Sequence, residues 1–174
     1  MTLFLKHKAM LILMFFLTFN AFAQTNDLSH LLSAKNTQKL TERFIVGGQP
    51  SLKDLSVLSE NGVTTIINLR AQNEFIEFDE QAKTKALGMT YISIPIAGAV
   101  DLTTENVTKF SKIINQNNNK TFVHCASGNR VGAMFALDAY LNKRNTLDEA
   151  ISIGKKAGLT RLETKVRAII DKNK

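Results

Sequence analysis

Short apolar stretches alternate with segments of helical periodicity along most of this chain. Apolar runs rich in β-branched and aromatic residues predict strands at residues 44–46, 63–69 and 89–96, and in the run that ends at Cys125. Such runs, bounded by Gly, Pro and Asn, are typical of buried strands in a parallel sheet. The chain between them therefore has to supply crossover connections.

The segments between these runs predict helices. Ser51 is a plausible N-cap with Asp54 in the first turn, and Asn61 with Gly62 closes that helix. Residues 74–87 alternate acidic, apolar and lysine residues at helical spacing. A helix is predicted at residues 103–114, with Thr103 or Thr104 as its cap, and another at 131–141. Two capping boxes, Thr146 to Glu149 and Thr160 to Glu163, predict the starts of two more helices.

Strands that alternate with helices define the fold class. This order predicts an α/β protein with three layers, in which a mostly parallel central sheet is flanked by helices on both faces. Active sites in such folds lie beyond the carboxyl ends of the strands. Cys125 follows a predicted strand directly, so it is expected at that edge.

The first residues have the pattern of an export signal. Lys6 and Lys8 precede the apolar run 9–19, and Ala21-Phe22-Ala23 is a small-x-small cleavage site. The run is short for a membrane span, although a retained anchor is the alternative. We therefore expect a signal peptide at 1–23, an N-terminal arm at 24–42 and one domain at 43–174. In the arm, Leu28, Leu31 and Leu32 could form a turn that packs on the domain. The protein is then exported, either periplasmic or secreted, without stable membrane insertion.

Charge and cysteine content restrict the classes of function. The net charge of +7 falls to +5 without Lys6 and Lys8, which suits an anionic substrate or simply favours solubility. No basic run with interleaved aromatic residues indicates nucleic-acid binding. The single cysteine, Cys125, cannot form an intrachain disulfide. A free thiol in an oxidising compartment favours either a chemical role or deep burial.

Residues 121–131, Thr-Phe-Val-His-Cys-Ala-Ser-Gly-Asn-Arg-Val, contain the candidate chemistry. A strand, a tight loop and a helix start direct backbone N–H groups and the helix dipole at one point, which would stabilise a thiolate at Cys125. Arg130 offers a two-pronged donor for an oxyanion. The alternative is that Cys125 is a small buried hydrophobic residue. His124, Gly128 and Arg130 at these spacings are not what core packing requires.

The segment 124–130 resembles the signature loop of cysteine-dependent phosphatases of the tyrosine and dual-specificity kind. Phe-Ile-Val-Gly-Gly-Gln-Pro-Ser at 44–51 and the strand ending Ile-Asn-Leu-Arg at 70 are similar to the opening of that fold. The nearest resemblance is to the phosphatase-like domains of bacterial beta-lactamase-hydrolase-like proteins. It extends over about residues 44–159 and implies the cysteine phosphatase fold.

The resemblance also implies roles for individual residues. It makes Cys125 the nucleophile, Arg130 the phosphate clamp and Asp101 the general acid, in hydrolysis of a phosphate monoester through a phosphocysteine intermediate. The partner is then a phosphorylated substrate, a phosphoprotein or a small phosphate ester, and the reaction needs no cofactor or metal. The resemblance also implies that His124 buttresses the loop and helps keep Cys125 ionised. The substrate-binding residues that it implies are His124, Ala126, Ser127, Gly128, Asn129 and Arg70.

Two departures from the family pattern leave other functions open. Cys125 and Arg130 are separated by four residues, against five in the usual phosphatase loop, and Val131 stands where a hydroxyl residue usually follows the arginine. Ser127 could supply that hydroxyl. The shorter spacing is typical also of rhodanese-like sulfurtransferases, which would carry sulfur as a Cys125 persulfide. A non-catalytic module that binds phosphate or another anion is a third possibility.

Two of the implied roles have structural alternatives. Asp101 could be an ordinary helix N-cap ahead of Thr103 and Thr104. Arg70 and Glu74 could line the pocket or form a plain surface ion pair with each other.

Overall fold

The structure is a computed structural model that describes residues 27–72, 74–75, 77–116 and 118–173. The predicted signal peptide at 1–23 and the start of the arm lie outside the described residues. In the described part of the chain, no helix has both the length and the apolar character needed to cross a bilayer.

In the described part of the chain, a five-stranded sheet forms the centre of the domain. The strands are β1 (Gln38–Lys39), β2 (Phe44–Gly47), β3 (Thr65–Asn68), β4 (Thr90–Ser93) and β5 (Thr121–His124). They lie in the order β1-β2-β5-β3-β4. The β2, β5, β3 and β4 strands are parallel, whereas β1 runs antiparallel against β2. The predicted mostly parallel sheet is thus confirmed.

Helices cover both faces of this sheet, as predicted. The helices are α1 (Leu52–Glu60), α2 (Glu80–Ala86), α3 (Thr104–Gln116), α4 (Asn129–Leu141), α5 (Leu147–Lys156) and α6 (Glu163–Asp171). Side chains alternate along the strands, so that Ile66 and Phe122 pack on the face that α1 and α2 cover, whereas Ile67 and Val123 pack on the face that α3 to α6 cover. Each face therefore has its own apolar core.

Three of the four predicted N-caps form. Ser51 makes a reciprocal capping box with Asp54, and Thr146 makes one with Glu149. Thr103 caps α3, where its Oγ1 accepts from the N–H of Asn106. These caps are local, so sequence spacing suffices to predict them.

The capping box predicted at Thr160 is wrong. The α6 helix begins at Glu163 without a side-chain cap. Asn129 accounts for the difference, because its Oδ1 accepts from the N–H of Thr160 at 2.9 Å. Glu163 meanwhile pairs with Lys155 and Arg167 instead of returning to the helix start.

The helix predicted at 74–87 is wrong in its first half. The α2 helix begins at Glu80, capped by Asp79, whose carboxylate accepts from the N–H of Ala82. The residues described before Asp79 form turns and bends. Two carboxylates from this region, Glu74 and Glu80, contact Arg130 and His124, on either side of Cys125 in the sequence.

The described part of the arm packs on the domain. Residues Leu28–Leu31 form a 3₁₀ turn capped by Asp27, and β1 adds a strand to the sheet edge. Leu28 is 4% exposed within the core, whereas Leu31 is 59% exposed. The expected packed turn therefore forms, but Leu31 faces solvent. The arm also brings Asn36 to the loop that follows β5.

Candidate active site

Cys125 lies at the carboxyl end of the central β5 strand, with 1% of its surface exposed. The following residues turn sharply at Gly128, whose φ of +86° lies in the left-handed region that favours glycine. The N–H of Gly128 points back at Cys125 Sγ, 3.2 Å away. The loop therefore wraps around the sulfur atom, as the sequence pattern predicted, and α4 begins at Asn129.

Two hydrogen bonds from outside the loop fix the direction of its peptide groups. The carbonyl of Ala126 accepts from the N–H of Gln49 at 3.3 Å, and the carbonyl of Ser127 accepts from the side chain of Asn36 at 2.9 Å. In a planar trans peptide the N–H points opposite to the C=O, and the chain has no cis peptide bond in its described residues. With the carbonyls directed outward, the N–H groups of Ser127 and Gly128 face the interior of the loop.

The start of α4 adds donors to the same interior. The first amides of a helix have no carbonyl partner within it, and here they belong to Asn129, Arg130 and Val131. Together with the loop amides and the helix dipole they form an anion cradle beside Cys125. The structure thus places Ala126, Ser127, Gly128 and Asn129 around Cys125, and their role in binding a substrate stays a prediction.

The Arg130 side chain is held at the edge of this cradle by Glu74. Its guanidinium donates from both terminal nitrogens to the Glu74 carboxylate, and Nη1 also donates to the Ile96 carbonyl at 2.7 Å. The hydrogen bond with Glu74 raises the pKa of Arg130 above its ordinary value, and Cys125 contributes in the same direction. Reciprocally, Arg130 lowers the pKa of Glu74 despite its partial burial. Both groups are therefore charged at neutral pH.

His124 lies behind the loop and away from its opening. It is fully buried, with Nε2 2.7 Å from a carboxylate oxygen of Glu80 and Nδ1 3.4 Å from the carbonyl of Cys125. Its ring stacks on that of Phe122 at 5.7 Å between centroids. This placement fits the buttressing role expected for His124, but it does not bring the ring to a substrate.

Arg70 belongs to the same buried cluster. It forms an ion pair with Glu80 and donates to Asn68 Oδ1 at 3.1 Å, with only 6% of its surface exposed. The alternative of an Arg70–Glu74 ion pair is thus replaced by two separate pairs, Arg70 with Glu80 and Arg130 with Glu74. Arg70 therefore supports the loop from behind, and the structure does not place it at the loop opening.

Glu80 connects these elements electrostatically. Burial alone would raise the pKa of its carboxyl group, but the contact with His124 and the charges of His124 and Arg70 outweigh burial and lower that pKa. Glu80 is therefore a buried carboxylate between two basic side chains, at the junction of β3, β5 and α2.

Asp101 lies in a short 3₁₀ turn after β4, at Ala99–Asp101. One oxygen of its carboxylate accepts from the N–H of Ala97 at 2.6 Å, which closes the turn on itself. Ala97 lines the same opening as Ser127 and Arg130. The alternative that Asp101 caps α3 is wrong, because Thr103 takes that position.

A cavity of about 340 Å³ lies against the loop that follows Cys125. Its walls come from Ala97 and Gly98, from the loop with Arg130, and from Arg161 and Leu162 of the α5–α6 connection. No cluster of three or more His, Cys, Asp or Glu residues that could hold a metal ion occurs among the residues described.

Three residues that contribute to this site were not identified from the sequence. Asn36 lies 91 residues before its partner Ser127. Glu80 and Arg161 lie in segments predicted only as ordinary helix and capping box. None of them stands within a local motif, so only the folded chain shows that they approach Cys125.

The chain is similar in sequence to known phosphatase-family proteins. Residues 17–171 match the family described as "DSP-PTPase phosphatase fused to NAD+ Kinase". A "Beta-lactamase hydrolase-like protein" of Xylella fastidiosa is 29% identical over 119 residues, which are 66% of this chain and 27% of that protein. The chain thus spans about a quarter of the length of that curated relative.

Solved structures show the same fold. The phosphatase-class protein nma1982 of Neisseria meningitidis aligns with a TM-score of 0.65 and 22% identity, over 79% of this chain and 97% of its own. A cysteine-to-serine variant of TpbA from P. aeruginosa, solved in complex with phosphotyrosine, aligns with a TM-score of 0.59 and 13% identity, over 75% of this chain and 79% of its own. With the family match over most of its length, this chain belongs to the DSP-PTPase phosphatase family whose members include fusions to NAD+ kinase.

Proposed function

We propose that the protein hydrolyses a phosphate monoester through a phosphocysteine intermediate on Cys125. One observation supports this more than any other: the Gly128 N–H lies 3.2 Å from Cys125 Sγ, in a loop whose amides are directed inward beside Arg130. Donors fixed in this way stabilise charge that develops on phosphoryl oxygens and need little reorganisation during the reaction.

The reaction proceeds in two displacements. The Cys125 thiolate attacks phosphorus, so that an S–P bond forms while the P–O bond to the leaving alcohol breaks. Asp101 gives its proton to the departing oxygen. Water then attacks phosphorus, the S–P bond breaks, and the Asp101 carboxylate takes the proton from that water. The products are the alcohol and inorganic phosphate, and Cys125 returns to its thiolate form.

Arg130 and the loop amides hold the three non-bridging oxygens throughout both steps. Because Glu74 holds both terminal nitrogens of the guanidinium and the Ile96 carbonyl also holds Nη1, the orientation of Arg130 is set before the substrate arrives. Pre-set donors of this kind lower the entropic cost of forming the reactive complex.

The assignment of Asp101 as the acid rests on its hydrogen bond with Ala97, a residue that lines the cavity. The Ala97 N–H uses one carboxylate oxygen of Asp101, so the other oxygen is the one free to donate a proton. The likeness to TpbA, which was solved with phosphotyrosine, makes phosphotyrosine a reasonable first biological ester to test, alongside serine and sugar phosphates.

A paired assay on purified protein tests the proposal against the sulfur-transfer alternative. One arm follows phosphate release from 4-nitrophenyl phosphate and phosphotyrosine under reducing conditions, and the other follows transfer of sulfur from thiosulfate to cyanide. We expect phosphate release that Cys125→Ser abolishes, and no thiocyanate. Thiocyanate without phosphate release would establish the sulfurtransferase, and inactivity in both arms would favour an anion-binding module.

We also propose that the protein acts outside the cytoplasm, on the basis of the leader pattern at 1–23. The test is N-terminal sequencing of protein recovered from the periplasmic fraction of a bacterial host. Recovery there with Gln24 as first residue supports export, and recovery of protein that begins at Met1 in the cytoplasmic fraction contradicts it.

A further inference from the structure

Arg161 lies at the opening of the catalytic loop and forms no ion pair among the described residues. It is exposed, and it lines the same cavity of about 340 Å³ as Ser127 and Arg130. A substrate bound with its phosphate in the cradle would therefore extend past this side chain.

The backbone on either side of Arg161 is fixed relative to the catalytic loop. The Oδ1 atom of Asn129 accepts from the N–H of Thr160 at 2.9 Å and from that of Leu162 at 3.4 Å. Gly158 lies directly against Gly128, since a Cβ added at Gly158 would be 3.1 Å from the Gly128 carbonyl oxygen. The α5–α6 connection that carries Arg161 is thus held in place by hydrogen bonds and packing against the loop that follows Cys125.

The acidic side chains nearest to Arg161 in sequence and across the loop are already paired with other basic residues. Arg130 is already paired with Glu74. The nearby Glu163 is occupied by Lys155 and Arg167. No acidic side chain is found among the described residues that line the cavity. The Arg161 guanidinium therefore has no acidic partner in the described part of the chain. Guanidinium groups bind carboxylate and phosphate with two parallel hydrogen bonds.

We propose that Arg161 binds a second anionic group of the substrate. The preferred substrates are then phosphate monoesters that carry a carboxylate or a further phosphate close to the ester. This inference rests on the proposed function, because it assumes that Cys125 and Arg130 receive the phosphate to be hydrolysed.

A neighbouring groove offers a rival position for such a group. Lys35 and Lys53 line it, and it reaches the catalytic loop at Ala126 from the other side. The backbone hydrogen bonds of Asn129 favour Arg161, because they fix its attachment to the loop, while both lysines are exposed with long flexible side chains.

The test compares 3-carboxyphenyl phosphate with 3-carbamoylphenyl phosphate, which have nearly the same shape but differ by one negative charge. We expect kcat/KM to be about three- to fivefold higher for the carboxylate ester at low ionic strength, the range of a partly exposed ion pair, and salt to reduce the ratio. A parallel arm with 1,3-phenylene bisphosphate shows whether phosphate serves better than carboxylate as the second group.

Single substitutions show which residue causes the preference for the carboxylate ester. Arg161→Gln should bring the ratio to about one, whereas Arg144→Gln, which removes an exposed arginine from the turn after α4, should leave it unchanged. A ratio that survives Arg161→Gln, or that is lost in Lys53→Gln instead, overturns the proposal.

Binding separates a failure of this proposal from a failure of the proposed function. Both esters are titrated into Cys125→Ser by calorimetry, and the ratio of their dissociation constants should match the kinetic ratio and fall in the Cys125→Ser/Arg161→Gln double variant. If the wild-type protein hydrolyses neither ester, the proposed function fails while this ratio still decides the role of Arg161. If hydrolysis requires Cys125 but neither ratio changes in the Arg161 variants, the role of Arg161 alone is contradicted.

Discussion

The side-chain amide of Asn36 donates to the backbone carbonyl of Ser127 at 2.9 Å, across 91 residues of sequence. Because the peptide group is planar, this bond turns the Gly128 N–H towards Cys125 Sγ. A residue of the N-terminal arm thus orients a donor in the catalytic loop. The arm is part of the framework of the site.

Removal of the Asn36 amide should weaken the cradle. Asn36 has a φ of +53°, so Asn36→Gly keeps the left-handed backbone without strain while it deletes the donor. We expect kcat/KM for an aryl phosphate to fall by about tenfold and the inhibition constant of phosphate to rise, as a preorganised oxyanion donor is loosened. Asn173→Ala, which removes another exposed side-chain-to-backbone bond far from the loop, is the control. Equal activity in Asn36→Gly and wild type would show that the loop keeps its orientation unaided.

Asp101→Asn separates catalysis from the architecture of the turn. An asparagine Oδ1 can still accept from the Ala97 N–H, so the turn that Asp101 closes should persist, but the proton donor is lost. We expect kcat to fall by about 10²- to 10⁴-fold while phosphate still binds with similar affinity. Unchanged turnover would assign the acid role to another group or to water.

Glu80→Gln should destabilise the domain, with a distinctive pH dependence. The pKa of Glu80 is lower in the folded chain than its ordinary value of 4.5, so the ionised form favours folding. Its contribution is fully present above about pH 4.5 and is lost as pH falls through the folded pKa. Near pH 7 we expect a loss of about 3 kcal/mol in the free energy of unfolding, because His124 and Arg70 lose their shared buried partner.

Urea unfolding of wild type and Glu80→Gln as a function of pH measures this difference. The gap between the two proteins should be widest at neutral pH and should narrow in acid. A gap independent of pH would mean that the carboxylate contributes by packing rather than by charge.

Glu74→Gln changes the competition for Arg130. Glutamine retains an oxygen that can accept from the guanidinium but carries no charge, and the Ile96 carbonyl still fixes Nη1 at 2.7 Å. With one negative charge less beside the cradle, phosphate should inhibit about three- to fivefold more tightly, and salt should reduce the difference. Weaker phosphate inhibition would indicate instead that Glu74 acts mainly by orienting Arg130.

The parts of this fold that could be predicted from sequence are those with local causes. Runs such as 63–69 define strands by composition, and the Ser51–Asp54 box defines a helix start within a few residues. The Thr160–Glu163 box has the same spacing, yet Asn129 takes the Thr160 N–H from across the fold. Long-range competition of this kind leaves no local pattern.

The site shows the same division. Cys125, Gly128 and Arg130 stand in one short motif, so their proximity could be predicted. The partners of Arg70 and Arg130 could not be predicted, because the Arg70–Glu80 and Arg130–Glu74 pairs depend on how the chain between β3 and α2 folds. Sequence proximity suggested an Arg70–Glu74 pair. In the folded chain Arg70 instead pairs with Glu80, and Glu74 pairs with Arg130.

The most direct test of the proposed chemistry is isolation of the covalent intermediate. Wild-type protein is mixed with a ³²P-labelled aryl phosphate and quenched in acid within the first turnover, and the labelled peptide is identified. We predict one phosphate on Cys125, formed together with a burst of free phenol, and no label in Cys125→Ser. Steady phosphate release without label on Cys125, or with label in Cys125→Ser, would contradict nucleophilic catalysis by this residue.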